Sequence, residues 1–198
     1  DGDGPYDTGV LYLFDGLNGN LLQTFHNPTP GEEDHFGGWM AFLGDNVLVS
    51  ASGDDFGGQE GSGVAYLFNS IDGQLIHTFV NPDPDPGDVF GWQMAAVGNL
   101  IAIGAHGDDA GAVDAGTVYL FNANEPYELV RTIYNPTPES DDRFGCLGAL
   151  GNELLVGAPS DNAGGIDAGA AYLFDPATGQ LLQTFLNPTP QAGDAFGL

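Results

Sequence analysis

The chain has no lysine. Arg131 and Arg143 are its only strong cations against 28 aspartates and glutamates, so 198 residues carry a formal net charge of −26. Binding to nucleic acid and to anionic lipid is driven by Lys and Arg, and this composition argues against both. It favours cations as partners and a well-solvated surface. Cysteine is nearly absent as well. With Cys146 alone no internal disulfide can form, and its place after Phe144-Gly145 suits a small core residue. No apolar run reaches 18 residues and no secretory leader is visible. No stretch of ten residues shows the i, i+3, i+4 apolar recurrence of an amphipathic helix.

What the chain does have is repetition. The tyrosine of a Tyr-Leu-Phe triplet falls at Tyr12, Tyr66, Tyr119 and Tyr172. Asp-x-Phe-Gly begins at Asp34, Asp88, Asp142 and Asp194, and Asn-Pro-x-Pro at Asn27, Asn81, Asn135 and Asn187. Three markers in one order and one phase, about 53 residues apart, mean one supersecondary unit copied, each copy burying a face against the next.

Residues 36–89 show the unit. Four apolar runs, 36–43, 47–52, 63–68 and 74–80, are separated by Gly, Asn, Asp and Pro, which reads as four strands and three hairpin connections. The second and third strands are apolar nearly throughout, as in Leu100-Ile101-Ala102-Ile103 and Val118-Tyr119-Leu120-Phe121. Both of their faces must be covered. The fourth is more polar, as in Leu21-Leu22-Gln23-Thr24-Phe25-His26, and reads as an edge blunted by the prolines after it. Four-stranded antiparallel sheets covered on both faces and repeated describe the blades of a β-propeller. A parallel β-helix is the rival reading, with a shorter usual period. The expected fold class is therefore all-β, a propeller in one domain. Residues 1–35 form a partial blade of third and fourth strands. Residues 36–89, 90–143 and 144–195 are whole blades, and 196–198 start another. The count falls about 16 residues short of four repeats. A longer array is the favoured explanation. The alternatives are a four-bladed ring lacking one hairpin, and self-association in which a neighbouring chain completes the partial blade.

The Phe-Gly pairs at Phe36, Phe90, Phe144 and Phe196, with Gly157-Ala158-Pro159 and Gly104-Ala105-His106, resemble the FG-GAP repeat. The likeness runs the length of the chain and is nearest to the bacterial type, with its Gly-Asp-x-Phe-Gly, Val-Gly-Ala-Pro and Ala-Gly-x-x-Tyr-Leu-Phe elements. It implies a propeller related to the integrin α-subunit head, extracellular and often calcium-bearing. The integrin calcium loop joins the first and second strands. Here that connection is short (Gly44-Asp45-Asn46, Gly98-Asn99, Gly151-Asn152-Glu153) and lacks the carboxylates for a cage.

The acids gather instead between the second and third strands. The candidate metal ligands are Asp1, Asp3 and Asp7 in the first copy, and Asp54, Asp55 and Glu60 in the second. The third offers Asp108, Asp109 and Asp114, the fourth Asp161, Asn162 and Asp167. Calcium takes six to eight hard oxygens, and glycine loops add carbonyls. The competing reading is that Asp and Gly simply build tight turns. The Asp of Asp-x-Phe-Gly is expected to accept backbone hydrogen bonds before the first strand, and its Phe to fill the space between sheets. Trp39 and Trp92 are expected in the core or facing a central tunnel.

Catalysis has little support. His26, His35, His77 and His106 show no i, i+4 metal spacing, and no Gly-x-Ser-x-Gly elbow occurs. A glycosidase pair could be assembled from so many carboxylates, but no copy carries an acid its siblings lack. The expectation is a non-enzymatic binding or adhesion module, extracellular or at the cell surface, presenting loops to a protein or glycan partner. The alternatives are a lectin-like glycan binder and a part of a secreted polysaccharide-active enzyme.

Overall fold

The computed structural model describes residues 6–198, whose regular secondary structure is almost wholly strand. In chain order they are β1 (Val10–Phe14), β2 (Leu21–His26), β3 (Met40–Leu43), β4 (Asn46–Ala51), β5 (Val64–Asn69), β6 (Leu75–Val80) and β7 (Met94–Val97). Then follow β8 (Leu100–Ala105), β9 (Thr117–Asn122), β10 (Leu129–Tyr134), β11 (Cys146–Leu150), β12 (Glu153–Ala158), β13 (Ala170–Asp175) and β14 (Gln180–Leu186). One short 3₁₀ turn, Phe56–Gly58, interrupts the loop before β5.

Each strand pairs antiparallel with its neighbour in sequence. The result is one two-stranded sheet, β1-β2, and three four-stranded meanders, β3-β4-β5-β6, β7-β8-β9-β10 and β11-β12-β13-β14. The three meanders fall one to each of the expected whole repeats, and β1-β2 supplies the expected third and fourth strands of the first. The chain divides into two compact units, residues 1–91 and 92–198, each holding two sheets.

Burial follows the apolar pattern. Central strands β4, β5, β8 and β9 are buried at five of six positions each, so both faces are covered. Edge strands β2 and β10 bury one position each, Phe25 and Ile133. In the first unit, Leu11 and Phe25 of one sheet pack with Val47, Val49, Tyr66 and Phe68 of the next, and Phe36 lies among them. The second unit repeats the arrangement: Val118, Leu120 and Ile133 meet Leu154, Val156, Tyr172 and Phe174 around Phe144. Each fully buried large side chain contributes about 1.5–3 kcal/mol.

The first strand is shorter than the apolar run predicts. It begins at Met40, not Phe36. The Phe36 N–H is taken by Thr8 O (3.1 Å), and Gly38 N–H turns back to His35 O (3.0 Å). Gly37 has φ +86°, a left-handed conformation incompatible with a strand. Phe196–Leu198 likewise form a turn. The Phe-Gly pair is thus a clasp before the strand.

A further regularity is a glycine three residues before each tyrosine of Tyr-Leu-Phe. Gly9, Gly63, Gly116 and Gly169 have φ between 80° and 84°. A Cβ on any of them would collide with the backbone of Phe36, Phe90, Phe144 or Phe196 respectively. Glycine is required here by close approach as well as by backbone conformation.

Candidate functional site

The loops between second and third strands and the segments running from Asn-Pro-x-Pro to Phe-Gly are joined by a repeated set of hydrogen bonds. In the first copy the N–H groups of Glu33, His35 and Phe36 donate to the carbonyls of Tyr6, Asp7 and Thr8. Gly87, Val89 and Phe90 donate to Glu60, Gly61 and Ser62; Asp141, Arg143 and Phe144 to Val113, Asp114 and Ala115; Gly193, Ala195 and Phe196 to Ile166, Asp167 and Ala168. The residue before each Phe is left-handed in every copy: His35, Val89, Arg143 and Ala195 have φ of 55°, 57°, 57° and 52°. That conformation is a genuine outlier for β-branched Val89. Three backbone bonds per copy hold it.

Two of the sequence markers prove to be one device. Asn27, Asn81, Asn135 and Asn187 each donate their side-chain Nδ2 to the Asp seven residues on, at 2.6–2.8 Å. The same Asn accepts from the N–H two residues ahead, and the same Asp accepts from the N–H three residues behind it. The expected structural role of this Asp is what the structure shows. Asp34, Asp88 and Asp142 are buried, at 3%, 2% and 0% exposure. Burial pushes the carboxyls of Asp34 and Asp142 above their ordinary range. Asp142 Oδ1 is buried with no hydrogen-bond partner.

The first acid of each described loop is also buried, against the tyrosine of Tyr-Leu-Phe. Tyr119 OH donates to Asp108 Oδ2 (2.7 Å) and Tyr172 OH to Asp161 Oδ2 (2.6 Å). Asp54 Oδ2 accepts from Thr29 Oγ1 (2.8 Å), whose oxygen lies 2.6 Å from Tyr66 OH. Thr137 bridges Tyr172 and Asp161 in the same way. Asp108 takes its hydroxyl from Thr117 on β9 instead (2.9 Å), where the sister strands have Val64 and Ala170. Burial, with the nearby Asp54 charge adding to it, pushes the Tyr66 hydroxyl up to about 12, and burial raises Tyr172 too.

The second and last positions of the loops are turn builders. Asp55 Oδ1 accepts from Gly61 N–H, Asp109 Oδ1 from Asp114 N–H and Asn162 Oδ1 from Asp167 N–H, at 2.8–3.0 Å. An amide in one copy does what a carboxylate does in the others, so the position needs an acceptor and not a charge. Asp7, Gly61, Asp114 and Asp167 share left-handed φ of 50–61°, the conformation that Gly and Asp tolerate best. Asp1 and Asp3 lie outside the described residues.

These loops do not fit calcium as folded. An ion needs six to eight oxygens converging on one point. Here the first acid faces inward to Tyr and Thr hydroxyls while the second faces a backbone amide. Among the described residues no three acidic, histidine or cysteine side chains gather closely enough to hold a metal. The Asp-Gly spacing that suggested a cage is accounted for by turns and a buried Tyr–Asp pair.

The first unit has concave surface at this loop region. One cleft of about 800 Å³ carries Glu32, Glu33, His35, Asp55 and Glu60 around Gly53, Gly58, Gly61 and Gly87. A second, of about 520 Å³, is lined by Thr29, Asp34, Asp54, Tyr66 and Thr78, with Phe56 and Leu75. Of these residues the sequence had singled out the aspartates, Glu60 and Tyr66. Glu32 and Glu33 are signalled only by the acidic run before Asp34; Thr29, Phe56 and Leu75 had no signal. Trp39 and Trp92 are not core residues, being 38% and 44% exposed. The Trp92 ring lies 4.7 Å from His106. Cys146 is buried, as expected.

Repeated four-stranded antiparallel sheets, clasped through Asp-x-Phe-Gly, define an all-β repeat protein. Residues 30–68 and 76–121 match the sequence profile of the FG-GAP repeat, so the chain carries FG-GAP repeats. No curated protein sequence matches it. Among solved structures it is similar to the crystal structure of the computationally designed Ika8 protein, with 15% identity and a TM-score of 0.58. The match covers 94% of this chain and 46% of that one, so the chain spans less than half of that protein's length. At that identity the likeness is one of fold.

Proposed function

We propose that the chain is a non-catalytic binding module whose sheets are blades of a β-propeller and whose acidic loops meet a partner at the cell surface or outside the cell. The propeller reading rests on the four-stranded meanders repeated in sequence order, each covered on both faces at its central strands. The observation that carries the binding reading is the acidic cleft of the first unit. Glu32, Glu33, Asp55 and Glu60 line one concavity over a glycine floor, in a chain that has almost no cation to neutralise them. Such a surface attracts a basic protein patch, accelerates its encounter and weakens with salt. The buried acids, in contrast, are committed to Asn, Tyr and Thr partners and hold the loops rigid, which preorganises the surface.

A glycan-binding reading is favoured by the second cleft, where Phe56 is 40% exposed beside Thr29, Asp54 and Thr78. An aromatic ring with carboxylate and hydroxyl groups suits a sugar's apolar face and hydroxyls. The test is parallel binding to an array of Lys- and Arg-rich peptides and to a glycan array. Salt-sensitive peptide binding that drops at least tenfold in a Glu33→Gln, Asp55→Asn, Glu60→Gln triple variant supports the first reading. Salt-insensitive glycan binding lost in Phe56→Ala selects the second. Turnover of a polysaccharide overturns both.

A further inference from the structure

The second copy breaks the repeat at one place. Its loop between second and third strands is one residue longer: Asp54 lies 12 positions before its tyrosine, whereas Asp108 and Asp161 lie 11 before theirs. The 3₁₀ turn Phe56–Gly58 takes up the added length, and Asp55 accepts from an N–H six residues on where its sisters accept from one five on. The turn changes the partners of Asp54. Asp108 Oδ1 and Asp161 Oδ1 accept from the N–H two residues ahead, those of Ala110 (2.9 Å) and Ala163 (2.7 Å). Asp54 makes no such bond. Its two side-chain partners, Thr29 Oγ1 at 2.8 Å and Tyr66 OH at 3.4 Å, both fall on Oδ2. Among the described residues nothing donates to Oδ1.

Asp54 is 7% exposed and lines the second cleft, of about 520 Å³, beside Asp34, Asp55 and Phe56. A buried acceptor without a donor is costly. Burial, with the charges of Asp34 and Asp55 adding to it, holds the Asp54 carboxyl above its ordinary range. What suits it is a hydrogen-bond donor that carries positive charge. The walls narrow the choice. Phe56 and Leu75 are 40% and 44% exposed, a surface for methylenes and not for a compact hydrated ion. Glu32 and Asp55 line both this cleft and the one of about 800 Å³, so the two adjoin, and Glu33 and Glu60 lie beyond. A ligand held at Asp54 therefore has further carboxylates at the junction of the clefts.

We propose that the second cleft binds a linear aliphatic polyamine. One primary ammonium donates to Asp54 Oδ1, the methylenes lie on Phe56 and Leu75, and a second ammonium stands at the Glu32 and Asp55 carboxylates. An ammonium has three donors and no acceptor, so it satisfies Oδ1 and offsets the local charge in one contact. Phe56 adds a cation–π attraction. The third and fourth copies lack the site: their Oδ1 is already bonded, and Ala110 and Ala163 stand two residues after the Asp where the second copy has Phe56. The anchor, Asp54 with Phe56, plays no part in the basic-protein reading of the first cleft.

The experiment is isothermal titration calorimetry of the full chain with spermidine, putrescine and butylamine at about 0.15 M salt, where the diffuse attraction of the net charge is largely screened. The variants are Asp54→Asn, Phe56→Ala and, as the control for a carboxylate lost from the same buried position, Asp108→Asn, each checked for folding by circular dichroism. One saturable site is expected, tightest for spermidine and weakest for butylamine. Asp54→Asn should weaken spermidine about tenfold or more, and Phe56→Ala about threefold. Asp108→Asn should leave the affinity unchanged. Should Asp54→Asn fail to fold, the half-exposed Phe56→Ala decides. Absent or unsaturable binding, equal affinity for the monoamine and the diamine, or an affinity that the folded variants leave intact overturns the proposal. A glycan that Phe56→Ala releases and spermidine fails to displace gives the cleft to a sugar instead. Binding of spermidine through Asp54 without binding of basic peptides supports this site and removes only the reading of the first cleft; the converse removes only this site.

Discussion

Replacing Phe144 by alanine gives the most direct test of how the repeats are held together. The side chain has no exposure, and its ring meets Tyr172 at 5.9 Å and Phe174 at 6.0 Å, both nearly edge-to-face. Truncating a buried Phe costs about 3–5 kcal/mol, with the value set by how far the surroundings can collapse into the void. Here collapse is restrained. The Phe144 N–H is held by Ala115 O (3.0 Å), and Gly116 lies against the Phe144 backbone, so the chain cannot slide inward. The upper half of that range, about 4–5 kcal/mol, is expected. For a domain of this size each kcal/mol is about 2–4 °C, so Tm should fall by about 8–20 °C in a reversible melt. Phe196→Ala is the internal control: it has the same motif position and backbone bond but is only half-buried, and should cost about 1 kcal/mol. A Phe144→Ala melt within about 2 °C of the parent would refute the clasp as the packing element.

The Asn–Asp device gives a second graded pair. Asn135→Ala removes a buried donor to Asp142 and the acceptor for Thr137 N–H, and should cost about 2–3 kcal/mol, whereas Asn187→Ala at the exposed equivalent should cost under about 1 kcal/mol, as read by urea denaturation. Acidity should stabilise: burial holds Asp34, Asp54 and Asp142 above their ordinary 3.8. The folded state therefore binds their protons more tightly than the unfolded chain, and stability is lost as pH rises from the ordinary carboxylate value through the raised one. Tm should rise as pH is lowered from 7 into that window, and a steady fall over the same span sinks this account. Because the loop oxygens face tyrosines, threonines and amides, chelation should leave Tm unchanged; a drop of more than about 2 °C with EDTA, restored by calcium, would show that a cation holds these loops.

The sequence by itself determined the repeat, its length, the four strands of each whole copy and the fourth of them as an edge. Period-two and all-apolar runs between Gly, Asn and Pro are local signals, and four phased copies multiply them. It also located the structural aspartate before Phe-Gly, because an acid that never varies next to residues that do points to one fixed job. The Asp-Gly loops were legible as turns or as cages, and only tertiary structure shows which partners their side chains take in this fold. Two such contacts, Tyr172 to Asp161 and Thr29 to Asp54, join residues 11 and 25 positions apart, across strands and between repeats. Composition cannot say which way a carboxylate faces. Tertiary structure also showed that Asn-Pro-x-Pro and Asp-x-Phe-Gly are halves of one hydrogen-bonded loop, and that the variable residue before each Phe is left-handed. It placed both tryptophans at the surface. Those outcomes depend on backbone dihedrals and on which chain segment lies alongside which, and neither is written in the identity of any single residue.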